Sequence, residues 1–298
     1  MPRARANGLE LEYETFGDPA HPPIVLVMGL GAQMITWDTG FCELLAARGF
    51  QVIRFDNRDI GLSTWLDDLA VPELSAAGQA DAPYLLSDLA DDTVGLFDAL
   101  GLVKAHVVGA SMGGMIVQQL AIDHPDRLLS VTSIMSTTGD PSVGQTSPAA
   151  LATLTRPPAK TRAEAIEQSI ANFRTTGSPG YPASGEYLRH KATRAYDRAV
   201  HPAGTLRQAM AILASGDRTE RLRDVRLPAL VVHGDSDPMI DLSGGKATAA
   251  AIPGAELVVL PGMGHDLPEP LWPEFVAGIV RTTARARAED TPGTGPAT

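Results

Sequence analysis

The stretch that decides the fold is Gly109-Ala110-Ser111-Met112-Gly113-Gly114, in which one serine stands between glycines. Ala105–Val108 before it is a short apolar run typical of a buried strand, and Met115–Ala121 after it has the composition of a buried helix. A serine on so tight a turn projects its hydroxyl beyond the end of the sheet. The glycines beside it are needed because a Cβ there would collide with the neighbouring strand or helix. The following helix directs free N–H groups and the positive end of its dipole toward whatever the serine contacts.

Composition limits the kind of protein this is. The chain has 298 residues, 44% of them apolar and 20% charged, which is typical of a globular protein with a large core. A formal net charge of −11 argues against nucleic acid or an anionic membrane as a partner. Because 29 residues are glycine, a serine flanked by glycines also arises by chance. Other residues along the chain must therefore show whether this serine is a nucleophile.

The single cysteine and the amino terminus bear on the compartment. Cys42 permits no disulfide within the chain, lies in a candidate helix at Trp37–Arg48, and is interpreted as a small core residue. Met1–Ala6 carries charge without an apolar run, and no stretch approaches the roughly 18 apolar residues of a membrane span. We therefore expect a cytoplasmic protein without a membrane partner, and the sequence leaves its oligomeric state open.

Candidate strands alternate with candidate helices along most of the chain. The strands are predicted at Leu9–Phe16, Ile24–Val27, Gln51–Phe55, Ala105–Val108, Val131–Met135, Ala229–Val232 and Leu257–Leu260. Helices are predicted at Leu86–Leu100, Met115–Asp123 and Leu271–Arg281. This alternation predicts an α/β fold with a mostly parallel central sheet and helices on both faces. We expect the fold to begin at Leu9, with Leu9–Phe16 as an edge strand.

The alternation stops between residues 137 and 225, where helical patterns follow one another without strands. Thr161 and Glu164 have the spacing of a capping box at the start of one helix, and two further apolar stripes follow it. This predicts a helical lid. The predicted organisation is therefore a core in two parts, 1–136 and 226–286, a lid at 137–225, and a disordered tail at 287–298.

An exposed serine becomes a nucleophile only with a base, an acid that orients the base, and donors for an oxyanion. In open α/β sheets these groups lie in loops at the carboxyl ends of strands. His265 fits the base, because it follows the last predicted strand in a glycine-rich loop. The other histidines are placed less well, and His233 is interpreted as a packed structural residue.

Two carboxylates follow the penultimate strand and compete for the role of the acid. Asp237 is preferred, because Asp235 stands tight against the end of the strand, where it would cap the turn. Asp140 is a more distant alternative. For the oxyanion we expect two backbone N–H groups, that of Met112 at the start of the helix and that of Leu30 in the glycine-rich loop after Ile24–Val27.

Apolar residues beside the predicted catalytic loops are candidates for a substrate pocket. They are Met28, Met34, Trp37, Met135, Met239, Met263 and Leu267. Methionine and tryptophan in such places are typical of an adaptable apolar pocket, and core packing is the alternative for each of them. The sequence contains no metal-binding cluster, phosphate loop or dinucleotide fingerprint, so we expect no cofactor.

The order Ser111, Asp237, His265, each after a strand, is the order of an α/β-hydrolase triad. The segment Asp56–Ser63 matches the pattern D-x-R-G-x-G-x-S of the α/β-hydrolase fold-1 family, and the chain resembles its serine esterases over nearly its whole length. Met28 and Asp59 depart from the His and Gly that the family usually has there. With these departures the chain is similar to the aclacinomycin methylesterase-like subgroup, whose members remove a methyl ester from a polyketide antibiotic.

The resemblance implies ester hydrolysis through an acyl-enzyme on a small to medium apolar ester, with a methyl ester among the options. Ser111 would attack, His265 would act as base and then acid, and Asp237 would hold the imidazole. An aspartate nucleophile, as in dehalogenases and epoxide hydrolases of this fold, is excluded by Ser111. Alternatives with the same triad are a cofactor-free haloperoxidase or perhydrolase and a carbon–carbon or enol-lactone hydrolase. A hydrolase-fold ligand receptor with little turnover is the alternative from another class.

Overall fold

The computed structural model describes residues 2–71 and 82–289, which surround an eight-stranded sheet. The strands are β1 (Arg3–Ala6), β2 (Leu9–Phe16), β3 (Pro23–Val27), β4 (Gln51–Phe55), β5 (Ala105–Ala110), β6 (Leu128–Ile134), β7 (Ala229–Gly234) and β8 (Glu256–Leu260). Their order across the sheet is β1-β2-β4-β3-β5-β6-β7-β8. The first two strands pair antiparallel and the other six pair parallel, as the alternation predicts.

Helices cover both faces of this sheet. They are α1 (Thr39–Ala46), α2 (Leu86–Ala99), α3 (Met112–Asp123), α4 (Pro148–Leu154), α5 (Arg162–Thr176), α6 (Gly185–Arg198), α7 (Pro202–Ser215), α8 (Thr219–Leu222), α9 (Leu242–Ala251) and α10 (Trp272–Glu289). None of the helices in the described residues is long and apolar enough to cross a membrane.

The core consists of two hydrophobic clusters, one on each face of the sheet. Val25 and Val27 of β3 pack with α2 and α3 on one face, whereas Ile24 and Leu26 pack with α1 and α10 on the other. A parallel strand covered on both faces needs apolar residues at every position, which explains the unbroken apolar run in β3. Cys42 on α1 is fully buried in the second cluster, and burial raises the pKa of its thiol to about 12.

The amino-terminal edge of the sheet differs from the prediction. Leu9–Phe16 is not the edge strand, because β1 pairs with it and the fold begins at Arg3. In β1 the two alanines are buried and the two arginines are exposed, and Arg3 Nε donates to a carboxylate oxygen of Glu12 at 3.2 Å. Alternation of alanine with arginine carries little apolar signal, so this strand is not visible in the sequence.

The segment between β6 and β7 is helical, as predicted. The three predicted helices correspond to α5, α6 and α7, and Thr161 Oγ1 accepts the N–H of Glu164 at 3.2 Å where α5 begins. The short helices α4 and α8 in this segment, and α9 after it, were not predicted. We call residues 137–225 the helical insertion. Its helices α5 and α6 pack on each other through a separate small cluster that includes Ile166 and Leu188.

The predicted tail begins too early. The last helix, α10, continues to Glu289, so residues 287–289 are helical where a tail was expected. Residues 290–298 of the predicted tail lie outside the described residues.

Candidate active site

Ser111 occupies a strained turn between β5 and α3. Its backbone has φ 57° and ψ −120°, in the half of conformational space that residues other than glycine rarely adopt. A Cβ on Gly109 would lie 2.0 Å from the carbonyl oxygen of Gly113, and a Cβ on Gly113 would lie 2.1 Å from that of Val27. Glycine is therefore required at both positions, and the serine side chain stays partly exposed beyond the sheet.

Three side chains from three strand ends form one hydrogen-bonded chain. His265 Nε2 lies 3.0 Å from Ser111 Oγ, and His265 Nδ1 lies 2.7 Å from Asp237 Oδ2. The three residues are separated by long stretches of sequence and follow β5, β7 and β8. The fold thus brings the predicted nucleophile, base and acid within hydrogen-bond distance of one another.

Of the predicted acids, the structure brings Asp237 to the histidine. Its Oδ1 accepts the N–H groups of Met239 at 2.8 Å and Ile240 at 3.0 Å, which leaves Oδ2 for His265. Asp235 instead accepts the N–H of Gly262 at 2.7 Å and so holds the loop that carries His265. The third option, Asp140, accepts from Ser142 within its own turn.

His233 lies beside Asp237 and is fully buried. Its Nε2 donates to the carbonyl of Ile240 at 2.8 Å, and the same nitrogen is 3.6 Å from Asp237 Oδ2. Burial lowers the pKa of His233, against the opposing effect of the Ile240 and Asp237 contacts. A neutral, buried imidazole bonded to a backbone carbonyl fits the structural role expected from the sequence.

The loop that carries His265 is held by the last residue of α5 and by the linker that follows it. The N–H of His265 donates to the carbonyl of Thr176 at 2.7 Å, and the N–H of Gly264 donates to Ser178 Oγ at 2.9 Å. The Ser178 hydroxyl in turn donates to Asp266. Burial raises the pKa of Asp266, and the hydrogen bond from Ser178 opposes this effect. The sequence contains no motif for this contact, and Ser178 and Asp266 were not predicted.

The loop that contains Leu30 packs against Ser111, and Met112 directly follows the serine in the chain. A Cβ on Gly29 would lie 3.0 Å from Ser111 Cβ, which places the loop after β3 directly against the serine. Gly31 N–H donates to Gln208 Oε1 at 3.0 Å, which fixes the far side of that loop. Among the described residues, no protein acceptor bonds the N–H of Leu30 or of Met112. Both groups are therefore free to bind a ligand.

The predicted pocket residues divide into two groups. The first group keeps some exposed surface: Met28 and Met135 are 4% and 5% exposed, and Met239 and Leu267 are partly exposed. Met34, Trp37 and Met263 have no exposed surface, and the Trp37 ring stacks on Phe41 with its centroid 5.6 Å away. For these three side chains the structure shows the packing that was the alternative to a pocket role.

Asp59, one of the departures from the family pattern, connects the core to the helical insertion. Its carboxylate accepts two hydrogen bonds from Arg207 on α7, from Nε at 2.9 Å and from Nη2 at 2.8 Å. The Tyr84 hydroxyl donates to the same carboxylate at 2.9 Å. A second pair, Asp56 with Arg198 on α6 at 2.7 Å, lies in the same motif segment. The segment Asp56–Ser63 thus anchors two helices of the insertion.

Comparison with known proteins agrees with this architecture. The family model of the alpha/beta hydrolase fold matches residues 22–269. The chain is 30% identical to rhodomycin D methylesterase DnrP of Streptomyces peucetius, over 92% of this chain and 94% of that protein. It is 28% identical to a putative carbamate hydrolase RutD of Caulobacter sp. (strain K31), over 86% of this chain and 88% of that protein.

Solved structures agree as well. The enol-lactonase from Burkholderia xenovorans LB400 superposes with a TM-score of 0.71 at 25% identity, over 95% of this chain and all of that one. A meta-cleavage product hydrolase from Pseudomonas fluorescens IP01 superposes with a TM-score of 0.74 at 18% identity, which shows the shared fold alone. The chain belongs to the alpha/beta hydrolase fold family, and its similarity to the rhodomycin D methylesterases confirms its resemblance to the aclacinomycin methylesterase-like subgroup.

Proposed function

We propose that the protein is a serine carboxylic-ester hydrolase that acts through an acyl-enzyme on small to medium apolar esters, methyl esters among them. The observation that carries the proposal is the hydrogen-bonded chain from Ser111 Oγ through His265 to Asp237. A serine hydroxyl on a strained turn, bonded to an oriented imidazole, is the arrangement that activates it for attack on a carbonyl.

The chemistry follows from the direction of these hydrogen bonds. Because the Asp237 carboxylate can only accept, His265 donates from Nδ1 and presents the lone pair of Nε2 to the Ser111 hydroxyl. His265 takes the serine proton as Ser111 attacks the ester carbonyl, and Asp237 stabilises the imidazolium that forms. His265 then protonates the leaving alcohol, and the acyl group remains on Ser111.

The second half of the reaction uses the same groups in reverse. His265 deprotonates a water molecule, which attacks the acyl-enzyme, and the carboxylic acid leaves when Ser111 regains its proton. In both halves the N–H groups of Leu30 and Met112 would hold the oxyanion. Each such donor is worth roughly 10²- to 10³-fold in kcat. The Met112 donor also lies at the N-terminus of α3, where the helix dipole favours negative charge.

The similarity to named relatives supports the choice of substrate class. The matched methylesterases act on an ester, and a carbamate contains an acyl group that a serine nucleophile can attack in the same way. Enol-lactone hydrolysis is a second candidate, favoured by the solved enol-lactonase at 25% identity, since it needs the same attack on an ester carbonyl. The substrate is in each case a small molecule.

Turnover of a p-nitrophenyl ester panel and a methyl ester panel tests the proposal. We expect a burst of nitrophenolate equivalent to the enzyme, followed by steady turnover, and a loss of at least about 10³-fold in kcat for Ser111→Ala. Ser87→Ala on α2 is the matched control and keeps wild-type turnover. Turnover in Ser111→Ala within tenfold of the wild type would refute the proposal. Stabilisation by esters without any turnover would favour a receptor.

A further inference from the structure

A cleft of about 230 Å³ lies between the helical insertion and the loop after β3. Residues of the stretch 31–38 form one wall, and α5 and α6 form the other, with Phe173, Tyr187, Lys191 and Arg194 among the lining side chains. Its volume is below the roughly 300–1,000 Å³ of pockets that hold a whole drug-sized ligand. The cleft is therefore the size of a subsite for one part of a substrate.

Each wall of the cleft is adjacent along the chain to a residue of the candidate active site. On one side Gly31 follows Leu30 directly, and Leu30 is the proposed oxyanion donor. On the other side Phe173 lies one helical turn before Thr176, whose carbonyl accepts the N–H of His265. A substrate whose ester lies at Ser111 can therefore extend a substituent between these two walls.

Lys191 is one of two basic side chains that line the insertion wall, and Arg194 is the other. Its ammonium nitrogen lies 5.0 Å from the centre of the Phe173 ring and 5.8 Å from that of Tyr187. In the part of the chain that the structure describes, no carboxylate lies within 4.0 Å of it and no acceptor bonds it. Aromatic faces attract a cation but leave its N–H donors without acceptors. Lys191 therefore offers donors to a ligand.

The buried arginine side chains of the described residues differ from Lys191, because each of them has an acceptor within the protein. Arg54, Arg58, Arg198 and Arg207 each pair with a carboxylate of the protein at 2.8 Å or less. Arg218 has no carboxylate partner, but it donates to the carbonyl oxygens of Gly216 and Thr137 at 3.1 Å. Burial lowers the pKa of Lys191, and the more distant carboxylates of Asp266 and Asp38 oppose this effect. A bound anion would offset the cost of burying the ammonium.

The cleft as a whole has an excess of positive charge. Asp38 also lines it, but its Oδ1 accepts the N–H of Gly40 at 2.9 Å and caps α1. Against this one carboxylate stand Lys191 and Arg194, neither of which has an ion pair within the described residues. In a chain with a formal charge of −11, a local excess of cations favours an anionic ligand group.

We propose that Lys191 is a specificity-determining residue that binds a carboxylate carried by the substrate, so that the preferred esters are half-esters with a free carboxylate remote from the ester. This inference rests on the proposed ester hydrolysis. The Lys191 ammonium donates to the carboxylate while the apolar rings of Phe173 and Tyr187 and the side chain of Ile35 contact the hydrocarbon chain between carboxylate and ester.

Paired substrates test this directly. Monomethyl adipate, suberate and sebacate are each compared with the neutral methyl ester of the monocarboxylic acid of the same length, and kcat/KM is measured from acid release. We expect the wild type to prefer the half-ester at one or more lengths. Lys191→Met lowers the ratio of half-ester to neutral ester by about 10- to 100-fold, the worth of a charge-assisted hydrogen bond. Lys191→Arg keeps most of the ratio, and the exposed control Lys104→Met keeps the wild-type ratio.

Two outcomes overturn the proposal: no preference for any half-ester in the wild type, or an undiminished preference in Lys191→Met. A separate measurement covers the case in which the wild type hydrolyses none of these esters, which would refute the proposed function. Binding of the suberate dianion to Ser111→Ala is then measured by calorimetry with and without Lys191→Met. Binding that depends on Lys191 supports the subsite even then, and binding that is absent or independent of Lys191 overturns it.

Discussion

Asp59→Asn removes the charge that pairs the core with the helical insertion and leaves the backbone undisturbed. Asp59 has φ 68°, and asparagine tolerates this conformation better than most residues. The Asp59 and Arg207 side chains are 0% and 1% exposed, so the variant leaves the guanidinium buried without its buried carboxylate partner. Breaking such a pair costs about 3–5 kcal/mol in free energy of unfolding.

Asp67 provides the matched control for this variant. It faces the same guanidinium at 3.7 Å, but its side chain is 66% exposed. Solvent screens such a pair, so Asp67→Asn is expected to change the free energy of unfolding by about 1 kcal/mol or less. The two variants thus each change one carboxylate partner of Arg207, and they differ mainly in how deeply that carboxylate is buried.

Urea unfolding followed by circular dichroism measures both variants, with the slope m checked for constancy. The double variant Asp59→Asn with Arg207→Met should lose less than the sum of the single losses, because no buried charge is left unpaired. An Asp59→Asn loss of under about 1 kcal/mol, or one equal to that of Asp67→Asn, would refute the view that this buried pair anchors the insertion.

The same pair predicts how stability depends on pH. Burial raises the pKa of Asp59, but hydrogen bonds from Arg207, the Leu66 N–H and Tyr84 outweigh it and hold the pKa below its usual value. The stabilisation is therefore present above the unfolded pKa of about 3.9 and is lost as the pH falls through the lower folded pKa. Wild-type and Asp59→Asn unfolding curves should converge in that acid range, and a constant difference down to pH 2 would contradict this origin.

Four further variants test the site. Asp237→Asn should lower kcat by about 10⁴-fold and Asp235→Asn by less than about tenfold, because only the first carboxylate contacts the histidine; comparable losses would contradict this. Ser178→Ala should lower kcat by about 10-fold with KM little changed, by loosening the loop that carries the base, whereas unchanged kcat would remove that role. Gly113→Ala should lower the free energy of unfolding by several kcal/mol in urea, since its Cβ would lie 2.1 Å from a carbonyl oxygen, and near-wild-type stability would show that the turn is looser.

The sequence predicts best where function depends on position along the chain. Ser111, Asp237 and His265 each follow a strand, and parallel strands bring their carboxyl ends to one edge of the sheet, so adjacency follows from topology. Element bounds are also close where apolar periodicity is strong, as in α2. The same logic fails for β1, whose buried residues are small alanines beside arginines.

Side-chain contacts across long separations could not be predicted. Asp59 and Arg207 are 148 positions apart, and Ser178 and Gly264 are 86 apart, so no local pattern connects them. The direction of the Trp37 side chain could not be predicted either. Trp37 lies beside the loop after β3, but its side chain turns inward and stacks on Phe41. Such orientations depend on packing in three dimensions rather than on spacing in the sequence.

Mass spectrometry of peptides from enzyme quenched during turnover of a p-nitrophenyl ester shows whether Ser111 is the nucleophile that carries the acyl group. We expect the acyl group of the ester on the peptide that contains Ser111 and no such adduct on the Ser111→Ala variant. The His265→Ala variant can be acylated with an activated ester. Its adduct should then persist longer than that of the wild type, because deacylation needs the same base. Acyl groups on another residue, or steady turnover in Ser111→Ala, would contradict the assignment of Ser111 as the nucleophile.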